Sequence, residues 1–94
     1  SNYVDPLLNI PQGIAVNAAG TIAYVANGGN DTVLACQIDQ NTRLITSCTN
    51  TGGVNFNFAR EIALNSTNDA AYIVNTNGNS VTRCDIDNGI NFIN

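Results

Sequence analysis

The chain has 94 residues and a net charge of −4, with three arginines, no lysine and no histidine against seven acids. So little positive charge leaves no basic stripe to neutralise phosphates, which argues against a nucleic-acid partner. The missing histidine and lysine exclude His-based triads, His metal sites and Schiff-base chemistry. Apolar residues make up 44% of the sequence, too many for a disordered chain, yet no apolar run approaches the ~20 residues of a membrane span.

Taken in order, residues 1–10 read first as an irregular leader. Gly13 to Asn17 is a short β-branched run closed by Asn17-Ala18-Ala19-Gly20-Thr21, a strand and its turn. Ile22 to Asn27 is a second strand centred on Tyr24 and Val25. The cluster Asn27-Gly28-Gly29-Asn30-Asp31 turns the chain, because Gly and Asn accept positive φ cheaply. Thr32 to Asp39 alternates, with Val33, Ala35 and Gln37 on one side and Leu34, Cys36 and Ile38 on the other, which predicts a half-buried third strand. After Gln40-Asn41-Thr42, a fourth strand is expected over Arg43 to Thr49, and a Gly-containing connection follows to Asn55.

The cycle then restarts. With an offset of 48 and no gap, 10 of the 29 positions from Pro11 to Asp39 recur identically between Ala59 and Asp87. A fixed period of this kind decides architecture before any single residue does. The offset sets Leu8-Asn9-Ile10-Pro11 on Phe56-Asn57-Phe58-Ala59, so the leader becomes the approach to a first unit. Turn clusters interrupt every apolar run before a helix of useful length could form. The expectation is an all-β chain of two four-stranded antiparallel β-propeller blades, over roughly residues 8–50 and 56–94, with 1–7 as an N-terminal connection. The whole, 1–94, is then a single propeller fragment.

Cys36 and Cys84 are repeat equivalents, while the equivalent of Cys48 would fall at position 96. A recurring cysteine pair favours disulfides and an oxidising compartment. If the third and fourth strands pair about Gln40 to Thr42, Cys36 and Cys48 lie opposite or nearly opposite each other, within reach of a bridge. Cys84 has no local partner.

The blocks Ala23-Tyr24-Val25-Ala26-Asn27 and Ala71-Tyr72-Ile73-Val74-Asn75 resemble the YVTN-type β-propeller repeat. Pro11, Gly13, Ile14, Ala15, Val16, Gly20, Thr21, Thr32, Val33, Ile38 and Asp39 also follow that blade pattern. The second copy departs from it at Ala59-Arg60-Glu61 and Asn68-Asp69. The cysteine-bearing form is similar to repeats of bacterial surface or secreted proteins, which implies an extracellular or cell-surface location. Functions in that family are mostly of the scaffold or binding kind, and the fold alone does not choose among them.

Two blades do not close a propeller, and each unit must bury its sheet faces against neighbours. Apolar faces left bare on both sides therefore predict homo-oligomers, three chains for six blades or four for eight, with an open head-to-tail filament as the alternative. No enzyme activity, cofactor or metal is expected. The cysteines lack close zinc-type spacing, and Asp85-Ile86-Asp87-Asn88-Gly89 lacks the later bidentate acid of a calcium loop. Arg60 and Glu61, standing where the first unit has Gln12 and Gly13 at the start of an inner strand, are candidates together with Gln12 to line a channel or ligand site, or as a pair to form an ion pair. Tyr24, Val25, Tyr72 and Ile73 are candidates for blade packing. The leading expectation is a non-enzymatic structural or interaction module that assembles with copies of itself. A small-molecule or carbohydrate-binding, lectin-like propeller is the alternative, lowered by the absence of Trp. Asn30-Asp31-Thr32 and Asn65-Ser66-Thr67 match the glycosylation acceptor pattern, as chance allows with 17 asparagines.

Overall fold

The computed structural model describes residues 2–94; Ser1, the first residue of the expected connection, lies outside them. The chain folds into two four-stranded antiparallel sheets, each a simple meander. Sheet one holds β1 (Pro11–Val16), β2 (Ile22–Asn27), β3 (Thr32–Ile38) and β4 (Ile45–Asn50). Sheet two holds β5 (Ala59–Leu64), β6 (Ala70–Asn75), β7 (Ser80–Asp87) and β8 (Asn91–Ile93). The fourth strand begins two residues later than expected, because Asp39 to Leu44 forms a looped turn with Arg43 at φ 64°.

Asparagine side chains fasten the turns at equivalent places in both sheets. Asn17 Oδ1 accepts from the N–H groups of Thr21 (2.9 Å) and Ile22 (3.1 Å), and Asn65 Oδ1 does the same for Asp69 (3.0 Å) and Ala70 (3.1 Å). At the far end, Asn27 Oδ1 accepts from Asn9 N–H at 2.7 Å and Asn75 Oδ1 from Asn57 N–H at 3.0 Å. Asn27 and Asn75 are fully buried, so these bonds replace water that cannot reach them. Neither Gly28 nor Gly29 adopts positive φ; Asp31 does, at 57°. The need for glycine at 29 is space, since a Cβ there would approach the Asn9 carbonyl oxygen to 2.8 Å.

The two sheets stack face to face. From sheet one come Ile22, Tyr24, Ala26, Val33 and Ala35. From sheet two and its approach come Phe56, Ala59, Ile62, Ala71, Ile73, Cys84 and Phe92, all buried. Burying a side chain such as Ile73 contributes about 1.5–3 kcal/mol, and this joint is the larger part of the core. The opposite face of sheet one carries a second cluster, Ala23, Val25, Leu34, Cys36 and Cys48, with Tyr3 and Leu8 of the N-terminal segment packed over it. The middle of β3 is therefore buried on both sides, not half-buried, and the outer face of sheet one is not wholly bare. Leu8 covers it as its equivalent Phe56 covers sheet two.

The outer hairpins differ. β3 and β4 pair with Cys36 directly opposite Cys48, and the two form a disulfide. In sheet two, three residues connect the paired Asp87 and Asn91, with Asn88 (φ 57°) and Gly89 (φ 74°) both at positive φ to turn the chain sharply. The shorter turn changes the register, so Ile86 faces Phe92 where the 48-residue offset would set it opposite Ile93. Carried one step further, the ladder sets Asn94 opposite Cys84. The second hairpin thus does not repeat the first one's cysteine alignment.

Candidate interaction surface

Strand alternation gives each sheet two faces, and the repeat maps them onto each other. The face that sheet one turns into the joint bears Tyr24, Ala26, Val33 and Ala35. Its equivalent on sheet two bears Tyr72, Val74, Val81 and Arg83, and it looks outward. Tyr72 is 42% exposed, Val74 43% and Val81 62%. Conversely, the joint face of sheet two (Ile62, Leu64, Ile73) has its equivalents Ile14, Val16 and Val25 on the outer face of sheet one, where Ile14 and Val16 stand exposed.

The joint also has polar fastenings. The Tyr24 hydroxyl donates to the Gly89 carbonyl, and the Tyr24 and Phe92 rings pack with centroids 5.3 Å apart. Burial raises the Tyr24 pKa above its ordinary value, which keeps the phenol a donor. Asp31 Oδ1, at the β2–β3 turn, accepts from Phe58 N–H at 2.7 Å. The equivalents of these groups, Tyr72, Leu44 and Asn79, lie on the surface.

Of the residues expected to pack between sheets, Tyr24, Val25 and Ile73 are buried. Tyr24 and Ile73 lie in the joint, and Val25 lies under the N-terminal segment. Tyr72 belongs to the outer face. The candidates for lining a channel or ligand site each border a hollow of their own sheet. Gln12 borders an apolar hollow of 310 Å³ on sheet one with Leu8, Pro11, Ile14 and Val25. Arg60 borders another hollow on sheet two with Val74, Asn75, Asn79 and Val81. Arg60 and Glu61 are not paired; the one ion pair among the described residues is Arg83–Asp85, 2.6 Å and exposed.

Among the described residues, no group of three or more His, Cys, Asp or Glu side chains gathers into a metal-holding cluster. Among the same described residues, no helix is long and apolar enough to cross a membrane. Cys84 is a buried thiol whose pKa burial and the Asp85 charge push up to about 11, the opposite of a reactive cysteine. Asn65 of the second glycosylation pattern uses its amide within the β5–β6 turn, donating to Thr67 Oγ1 at 3.1 Å and to Asp69.

The repeat equivalence between the outward faces and the joint faces could not be read from residue types alone. It needed the repeat offset together with knowledge of which face meets the partner sheet. No protein-family model matches the chain, and no curated protein matches it.

Proposed function

We propose that this chain is a non-enzymatic structural module: two blades of a YVTN-type β-propeller that copies of the chain complete by head-to-tail association. One observation carries the reading. The exposed face of sheet two is the repeat equivalent of the sheet-one face buried inside the molecule, and the outer face of sheet one is the equivalent of what it is buried against. Each chain thus holds equivalents of both halves of a joint it has already made once internally, the sheet-one half partly covered by Tyr3 and Leu8. In a second joint, Tyr72 of one copy would lie against Leu44 of the next, as Tyr24 lies against Phe92. Such a contact is heterologous, so it closes into a ring or continues as a filament. Three chains would give six blades and four would give eight, both within the range of closed propellers. The Cys36–Cys48 disulfide supports an oxidising, extracellular or cell-surface setting.

The test is mass in solution. Light scattering coupled to gel filtration should find a three- or four-chain species for the native protein. Val81→Asp should release monomer, because a charge would be desolvated in the centre of the contact. A native protein that stays monomeric at roughly 100 µM, where contacts of micromolar affinity are populated, refutes the proposal.

A further inference from the structure

The inner strands β1 and β5 come into backbone contact at Gly13. A Cβ at this position would lie 2.6 Å from the Arg60 carbonyl oxygen and 3.0 Å from Glu61 Cα. Both obstacles are backbone, so no side-chain rotation relieves them, and only glycine fits the joint as built.

Position 61 is the same place in sheet two. Both residues follow a register irregularity, between Pro11 and Gly13 in one sheet and between Ala59 and Glu61 in the other. Gly13 pairs with Ala26, and Glu61 pairs with the equivalent Val74. A copy docked on the outer face of sheet two with the geometry of the internal joint would bring its Gln12 carbonyl and Gly13 Cα against residue 61. There the chain carries a glutamate, and its side chain is exposed.

We infer that Glu61 is a spacer: it keeps the joint between copies open at its inner edge, so that an assembled ring alternates tight joints within chains and wider joints between them. This rests on the self-association reading and adds to it a residue that sets the geometry of the contact. The widened edge leaves the Glu61 carboxylate in water, where its charge costs little. The outer strands still close over Tyr72, Val74 and Val81.

Three variants separate the backbone clearance from the charge. Sedimentation velocity over a concentration series should show Glu61→Gly assembling at a roughly tenfold lower protein concentration than the native chain, the size expected when a steric conflict of this kind is relieved. Glu61→Ala keeps the Cβ and Glu61→Gln keeps the bulk without the charge, so both should assemble close to the native concentration. Equal gains in Glu61→Gln and Glu61→Gly would overturn the spacer in favour of simple charge repulsion. No gain in Glu61→Gly, with the native protein still assembling, overturns it and leaves self-association standing. If none of the four proteins assembles, self-association itself fails and the spacer with it. Should Glu61→Gly not fold, spin labels at positions 12 and 60 of the otherwise native chain give a second reading. The distance from 60 of one copy to 12 of the next should exceed the distance within one chain, and equality would overturn the inference.

Discussion

Gly13→Ala tests the inter-sheet joint by the sign of its effect. Gly13 does not occupy the left-handed region, unlike Gly20, Gly52 and Gly89, so its backbone conformation accepts alanine. In open space the substitution would stabilise by about 0.4–1 kcal/mol, through lost freedom in the unfolded chain. Here the new Cβ meets the Arg60 carbonyl oxygen at 2.6 Å, and β1 and β5 must part by several tenths of an ångström to admit it. Overpacking of this kind costs about 1–3 kcal/mol. The net expectation is a loss of roughly 0.5–2 kcal/mol, and a chain of this size loses about 4–8 °C in Tm for each kcal/mol. Thermal and urea melts at one matched protein concentration measure it. A raised Tm would mean that the inner strands are not in contact, and the stacking of the two sheets described here would be wrong.

Three further outcomes follow from the same structure. Replacing both Cys36 and Cys48 by alanine opens a loop of sequence separation 12, and chain entropy predicts a loss of roughly 3 kcal/mol in a urea melt; a loss below about 1 kcal/mol would show that the bond does not restrain the unfolded chain as that entropy predicts. Asn27→Ala removes the acceptor of Asn9 N–H and the donor to the Leu7 carbonyl (2.8 Å) in a buried place; it should cost roughly 2–3 kcal/mol, and a change within 0.5 kcal/mol, the level of an ordinary surface substitution, would contradict the assigned bonds. The N–H groups of Thr42 and Asn41 hold the Asp39 carboxyl below its usual range. Its contribution to stability is therefore complete above roughly pH 4 and is lost as pH falls through the depressed folded value. Asp39→Asn should flatten the acid limb of a Tm-against-pH profile, and an unaltered limb would contradict the cap.

Much of this architecture was legible because two signals are local and periodic. The Asn and Gly clusters mark each turn, and the 48-residue offset ties each strand to its copy. The Cys36–Cys48 bridge was legible from the recurring cysteine pair and the expected hairpin, while the direct opposition of the two depends on the longer loop over Asp39 to Leu44. What escaped depended on distances between sheets. The burial of β3 on both faces comes from the N-terminal segment folding back through Tyr3 and Leu8, which no alternation within β3 encodes. The register change in the second hairpin comes from the three-residue turn Asn88 to Ile90 standing where the first hairpin loops over Asp39 to Leu44, a choice that identical spacing conceals. Gln12 and Arg60 hold equivalent places on the inner strands, and which hollow each borders depends on how its own sheet is covered. Gly13 matters because of the backbone of the other sheet, and a single strand cannot reveal that.

The proposed self-association would also change what thermal stability means for this molecule. An isolated chain has one stacked joint for two sheets, while a chain in a closed ring takes part in a joint at each side. Repeat arrays draw their stability from such nearest-neighbour terms more than from any unit alone. The melting temperature should then climb with protein concentration, because assembly draws population out of the unfolded state by mass action. Dilution would act on this chain as a mild denaturant. Its folded lifetime when dispersed would then depend on how many copies remain within reach.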